Sequence, residues 1–464
     1  MKINYSLPQH KIKFIQQIPL KQRQKVDAQK LLNKKHSLID ANGYYNSQLM
    51  KVSFGKTGEK SSISKEDRYK GCLLGGAIGD ALGLDLEFMD AKRIKNCYGD
   101  DGIQELEIGL SGEAEFSDDT QMTIFTIDGL LKSIGDEFDS NIPPQIEDMH
   151  ESYLNWYKTQ TESYSGKIQN DGWIIKSSGL YQRKGPGETC MSSLKTGKVG
   201  TVDKPINRSK GNGGVMRVAP IGLLYHQNPE LAFKIGMDNA AITHGHPSAY
   251  LAAGFMASLI ANITNGLSLD DSVNEALSIL QKQEDSEEVV EKILLAKELA
   301  SENISVEKAI RQIGQGWTAE EAIGISLYCA FMSPEDYKEA VKMSVNHAGD
   351  SDTTGAITGN IMGTLLGIQS IPENWKSKIQ DKKLLNTLSD DLIKVPLEPE
   401  KHKSKYPYNK GRVPNWYVKK MVISSEPRKL EYSIFSDEET SKMKSMTAEE
   451  VIAYKKAILS NKTI

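Results

Sequence analysis

Glycine recurs at every fourth position in two separate stretches of this chain, as Gly71, Gly75, Gly79 and Gly83 in one and as Gly355, Gly359, Gly363 and Gly367 in the other. Both stretches otherwise read as helix, where each interior glycine costs about 1 kcal/mol relative to alanine. Four in a row need a compensating gain. A spacing of four lines the glycines along one helical face, and a face without side chains lets another helix or a ligand approach the backbone. Both helices are therefore expected at the centre of the fold. Ordinary tight packing accounts for the stripes as well as a ligand does, so the glycines alone assign no function.

The rest of the pattern is helical too. Apolar residues at helical spacing run through QMTIFTIDGLLKSI, PELAFKIGMDNAAIT, AYLAAGFMASLIANI, SVNEALSILQ, SVEKAIRQIG, AEEAIGISLYCAFM and Thr354 to Ile368. No short β-branched runs alternate with them, which gives no support to a doubly wound parallel sheet. The fold class is read as all-α. The polar stretch KTGEKSSIS (56–64) reads as a linker into the main domain, 65–395. Beyond it, 396–464 opens with four prolines and many charges in PLEPEKHKSKYPYNKGRVPNW, and TAEEVIAYKKAILSN, with a Thr447-x-x-Glu450 capping box, predicts a closing helix.

Composition bounds the class. The longest apolar run, Ala249 to Ala261, falls short of the roughly 20 residues that cross a bilayer. The N-terminus lacks the apolar core of a secretory signal, so a cytoplasmic location without membrane contact is expected. Cys72, Cys97, Cys190 and Cys329 are scattered singly, as buried free thiols would be. The net charge of −4 is uneven: residues 1–36 hold nine Lys/Arg against the single acid Asp27, a balance of +8, and the remainder carries 48 bases against 60 acids. The extension 1–64 is thus a basic arm suited to an acidic protein surface or, with few aromatics, to unspecific nucleic-acid contact; a protein partner is favoured. A solvated tail folded on the body explains the charge equally well.

The chemistry appears beside the helices. Phe116-Ser117-Asp118-Asp119-Thr120 precedes an amphipathic helix, and Asp350-Ser351-Asp352-Thr353 precedes the second glycine helix. Each looks like an N-cap, where Ser, Thr and Asp accept hydrogen bonds from free backbone N–H groups. One Asp satisfies a cap, however, and further carboxylates beside it repel unless cations neutralise them or water solvates them. Four carboxylates and several hydroxyls, with no thiolate, suit Mg²⁺ or Mn²⁺ rather than zinc. Two such loops suffice for a two-metal site.

These segments resemble the ADP-ribosyl-glycohydrolase family. The resemblance is carried, in order, by DRYKGCLLGGAIGDALG with Glu87 after it, FSDDTQMT, GNGGVMRVAP (211–220), THGHPSA (243–249) and HAGDSDTTGAITGNIMG (347–363), over roughly residues 65–395. It implies a compact orthogonal helical bundle that holds two Mg²⁺ ions in a central cleft and cleaves the bond between C1 of ADP-ribose and a modified side chain. Position by position, it implies Ser117, Asp118, Asp119, Asp350, Asp352 and Thr353 as metal ligands. Glu87, Asp119 and Asp350 are implied as the catalytic carboxylates. Asn212, Gly213, Met216, Arg217 and His244 are implied to embrace the ADP-ribose, although Arg217 would also serve as a structural ion-pair partner. Asp80 is expected to support the metals rather than bind them, His246 to shape a turn, and His347 to cap or pack. Ala348 replaces a glycine of the family pattern, and Lys210 stands where one class has an aromatic, which leaves the adenine without an assigned partner.

Three functions follow as expectations. The first is hydrolysis of ADP-ribosylated protein, at arginine because the GNGGVMRVAP loop resembles the arginine-acting branch. The second is an immunity protein whose N-terminal extension blocks a cognate ADP-ribosyltransferase, with or without hydrolysis. The third is a dinuclear hydrolase of small nucleotides.

Overall fold

Seventeen α-helices and no β-strand make up the described part of the computed structural model, residues 63–166 and 172–407. The N-terminal half contains α1 (Lys65–Gly83), α2 (Ala91–Tyr98), α3 (Asp118–Lys132), α4 (Ile146–Thr161), α5 (Glu188–Lys195), α6 (Ala219–Leu224) and α7 (Pro229–Ala241). Then follow α8 (Pro247–Thr264), α9 (Leu269–Leu280), α10 (Glu287–Ser301), α11 (Val306–Ile313), α12 (Ala319–Met332) and α13 (Tyr337–Val345). The last four are α14 (Ser351–Leu366), α15 (Glu373–Lys378), α16 (Lys382–Leu397) and α17 (Pro399–His402). All of the basic arm 1–64 before residue 63, and all of the C-terminal extension 396–464 after residue 407, including the closing helix expected around 447, lie outside the described residues.

The two glycine stripes pack against each other as an antiparallel pair. A methyl carbon added at Gly75 would strike the carbonyl oxygen of Gly359, and one added at Gly359 would strike that of Gly75. Gly71 with Gly363 and Gly79 with Gly355 repeat the relation. No other helix pair among the described residues packs so extensively. The gain that offsets the glycines is therefore backbone-to-backbone van der Waals contact, with the Cα hydrogens of each helix facing carbonyls of the other. Tyr337 donates to Gly75 O at 2.7 Å, and Arg68 donates to Thr364 O at 2.8 Å and Leu365 O at 3.1 Å, which satisfies carbonyls that α14 leaves open at its C-terminus. Gly367 ends the stripe, its carbonyl carbon 2.9 Å from a methyl carbon added at Gly71. It is the C-cap of α14 with φ +75°, its N–H returning to Gly363 O at 3.0 Å, a conformation that favours glycine for a different reason.

The register of this pair has a consequence at one end. Gly83, the last residue of α1, meets the backbone of Ser351, the first of α14. Whatever follows α1 is thereby set beside the N-terminus of α14.

Around the pair the remaining helices pack as one apolar core. α8 is buried on nearly every side, which is why its sequence is apolar all round rather than striped. Helices α4 and α10 begin without a side-chain cap; at Gln145 the usual residue type is missing, whereas Ser286 has the right type but makes no capping bond. Three of the four cysteines are buried free thiols as expected; Cys97 is the exception, exposed on the polar face of α2.

Candidate metal centre

Both acidic motifs cap helices. Ser117 is the N-cap of α3, its hydroxyl accepting from Asp119 N at 3.1 Å, and Asp350 is the N-cap of α14, accepting from Thr353 N at 3.3 Å. The chain leaves helical geometry before Glu87: after Gly83 it makes a short 3₁₀ turn, Leu84–Leu86, and Glu87 follows in an extended conformation. One carboxylate oxygen from each of Glu87, Asp350 and Asp352 lies within 4.8 Å of the others. Asp80, wholly buried on α1, accepts from Ser117 N at 2.8 Å, Thr120 N at 3.0 Å and Thr120 Oγ1 at 2.5 Å. It thus ties the start of α3 to the central pair.

Six carboxylates, Asp80, Glu87, Asp118, Asp119, Asp350 and Asp352, therefore share one region, and among the described residues none of them forms an ion pair with Lys, Arg or His. Burial first, then the neighbouring carboxylates, push Glu87 up to about 8, and burial raises Asp118 to about 8 against a hydrogen bond from Gly187 N. Asp119 and Asp352 are displaced upward for the same reasons, with the Thr353 hydroxyl partly relieving Asp119. Asp80 reaches only about 6 because the Thr120 and Ser117 hydrogen bonds oppose its burial. The positive ends of α3 and α14 offset the charges of their own carboxylates by about 1–2 kcal/mol, whereas burying an unpaired carboxylate costs several. Protons, as the raised values show, or bound cations make up the difference. Asp119 Oδ2 is buried with no hydrogen-bond partner, and the donors are all oxygen, so the residues fit hard divalent cations. Glu87, Asp350 and Asp352 are the three whose oxygens lie close enough together to share one.

The sign of the pH effect follows. A carboxylate whose folded pKa is raised contributes stability below its unfolded pKa, and that contribution is lost as pH rises through the folded one. With a chelator present, the melting temperature is expected to fall between pH 4 and pH 8, the span from ordinary carboxylate values to the displaced ones of Glu87 and Asp118. Added divalent ion should raise it most at pH 8. A chelated protein whose melting point is flat over this range would contradict the assignment.

The loop implied to hold ADP-ribose adjoins the carboxylates. Asn212 Nδ2 donates to Asp350 Oδ2 and to Gly316 O, both at 2.7 Å. Gly213 packs so closely that an added Cβ would lie 2.9 Å from both Cys190 Sγ and His244 Cε1. His244 is buried behind this loop, its Nδ1 2.8 Å from Thr243 Oγ1, and burial depresses it to about 3, which keeps it neutral. Met216 is buried in the core cluster. Arg217 is the clearest departure from the expected set: it is fully enclosed, donating to Asn239 O at 2.9 Å, Asn239 Oδ1 at 3.2 Å and Thr243 Oγ1 at 3.0 Å, with Tyr153 beneath it at 4.2 Å. With its donors spent inside the protein, it braces α7 against the loop instead of lining the cleft. His246 is likewise an N-cap, of α8, rather than a turn residue. Lys210 pairs with Glu288 at the surface, and His347 Nε2 meets Thr354 Oγ1 at 2.9 Å.

Two contributions escaped the sequence reading. Gly187 N donates to Asp118 Oδ2 at 3.1 Å, and Gly185 lies beside Glu87, so the RKGPG segment (183–187) forms a wall of the site; its paired glycines were the available signal. Phe88, the residue after Glu87, stacks on Trp317 with ring centroids 5.1 Å apart, and nothing in their spacing, 229 residues apart in sequence, announces it.

Residues 61–401 match the family described as ADP-ribosylglycohydrolase. The chain is 25% identical to ADP-ribosylhydrolase ARH3 of Mus musculus over 72% of its own length and 93% of that protein. It is 24% identical to the ADP-ribosyl-[dinitrogen reductase] glycohydrolase of Rhodospirillum rubrum, over 69% and 92% of the two chains. With ADP-ribosylarginine hydrolase Tri1 of Pseudomonas putida (strain GB-1) it shares 23% identity over 70% and 78%. No helix among the described residues is long and apolar enough to cross a membrane. The matched span takes in every carboxylate of the acidic centre, and by that match the chain belongs to the ADP-ribosylglycohydrolase family, metal-using hydrolases of ADP-ribosylated substrates.

Proposed function

We propose that this protein removes ADP-ribose from modified protein side chains, arginine above all, with two Mg²⁺ ions held by Ser117, Asp118, Asp119, Asp350, Asp352 and Thr353. The observation that carries this reading is the convergence of six carboxylates without a basic partner at the ends of α1, α3 and α14. When bound, the ions supply positive charge that fixes the ribose 2′ and 3′ hydroxyls and acidifies a water. The rest falls to the chain. Cleavage of a ribosyl bond passes through an oxocarbenium-like state, which nearby carboxylates favour. Glu87 serves as acid/base because it alone of the six sits on a half-buried turn, free to reach the leaving group or a water, while Asp119 and Asp350 are the adjoining groups able to accept a proton. Arginine leaves only if its guanidinium stays protonated, and the same carboxylates keep it so.

The acceptor is tested by supplying ADP-ribosyl-arginine and ADP-ribosyl-serine peptides side by side; the arginine peptide should be hydrolysed at least about tenfold faster, and equal rates would refute the preference. The balance of +8 in residues 1–36 favours a second role, in which the arm docks on an acidic ADP-ribosyltransferase. Deleting residues 1–60 should then leave hydrolysis near wild type and abolish stoichiometric inhibition of the transferase. Inhibition that survives the deletion would make the arm a mere tail. Cytoplasmic location belongs to the same reading.

A further inference from the structure

Phe88 is 74% exposed, and its backbone adopts φ +65°, a left-handed conformation rare for a bulky side chain. An apolar ring held in water by an unfavourable backbone is unexplained by stability, and such outliers gather where a function retains them. The ring is not idle. It stacks on Trp317 at an interplanar angle of 24°, and the two arrive from segments far apart in the chain. Phe88 directly follows Glu87, one of the three converging carboxylates. Trp317 directly follows Gly316, whose carbonyl accepts from the same Asn212 amide that bonds Asp350. Each ring thus hangs one residue, about 3.8 Å of chain, from a group that touches the acidic cluster.

That proximity favours the part of a substrate next to the reacting bond. C1 of the ribose must sit at the carboxylates, and the group bonded to C1 is the acceptor side chain. The adenine is removed from C1 by a ribose, two phosphates and a second ribose. A guanidinium is planar, always charged and weakly hydrated, so it stacks on an aromatic face while its edge N–H groups remain available to carboxylates. A serine acceptor offers neither a cation nor a plane.

We propose that the Phe88–Trp317 pair is the acceptor subsite, which receives the guanidinium of ADP-ribosylated arginine on the open face of Phe88 and so selects arginine over serine. This rests on the arginine reading above and deepens it. The two are separable by measuring kcat and KM of the full-length, metal-supplemented protein on both modified peptides, together with the affinity for free ADP-ribose by calorimetry. In Phe88→Leu, which keeps the bulk but not the π face, and in Trp317→Leu, the arginine-to-serine ratio of kcat/KM should fall about tenfold, chiefly through KM for the arginine peptide. Phe88→Tyr should restore the ratio, and the affinity for ADP-ribose, which has no guanidinium, should change less than that KM. A wild type that prefers arginine while both leucine variants keep its preference overturns the aromatic subsite alone. Equal loss on both peptides also overturns it, since the pair would then only position Glu87. A wild type without preference overturns the arginine reading and the subsite with it.

Discussion

Asp352→Asn should abolish hydrolysis, by at least about a thousandfold or ~4 kcal/mol of transition-state stabilisation, and do so without unfolding the protein. Asp352 is buried in the first turn of α14, within 4.8 Å of Glu87 and Asp350 through its oxygens, and is held above the ordinary carboxylate range by burial and then by Asp350, Asp119 and Glu87. Removing its charge removes a cation ligand and also removes a repulsion. The two consequences separate in a melting experiment. In chelator at pH 8 the variant should melt at or above the wild type, because one fewer buried carboxylate repels the others. With divalent ion present the order should reverse, since only the wild type gains stability by mass action. A variant that melts lower than the wild type in chelator, or one that retains the ion-induced rise, would show that Asp352 is a structural cap and not a ligand.

Gly359→Val should destabilise the fold by more than about 4 kcal/mol, enough to leave little native protein. The added carbon meets the Gly75 carbonyl, which is backbone inside a helix and cannot swing aside as a side chain would. Either α1 and α14 separate along their whole length or one of them distorts. Gly112→Ala is the contrasting case: with φ +84° and nothing within 4 Å of the added carbon, it should cost only the left-handed strain of about 1–2 kcal/mol. Denaturant unfolding of both variants checks the contrast, and similar losses at the two positions would mean that close helix approach is not what the stripe provides. Gly79→Ala, whose added carbon would likewise strike the Gly355 carbonyl, should lower both stability and activity, because widening the pair draws Glu87 away from Asp350 and Asp352.

The helices and the motif residues were legible from the chain because their signals are local. Ser117 and Asp350 announce themselves as caps through residue type and the apolar spacing that follows, and both are caps. The acidic motifs announce a carboxylate cluster in the same way. Arg217 and His244 were harder, since a motif says that a residue is near a site and not which way it faces; Arg217 spends its donors on Asn239 and Thr243 inside the core. The stacking of Phe88 on Trp317 and the bond from Gly187 N to Asp118 depend on segments distant in sequence, for which no local pattern exists.

By itself, then, the sequence determined that two bare-faced helices lie at the centre of an all-α fold and that carboxylates stand at helix starts, since propensity, capping and glycine's lack of a side chain act within a few residues. Tertiary structure alone decided the register: Gly71 against Gly363, Gly75 against Gly359 and Gly79 against Gly355, which brings the end of α1 to the start of α14. That register turns two separate caps and a turn carboxylate into one acidic centre. The physical reason is that backbone can meet backbone only where both faces are bare, and a slip along the stripes would drive side chains into carbonyls, so the close contact that offsets the glycines also fixes where Glu87 meets Asp350 and Asp352.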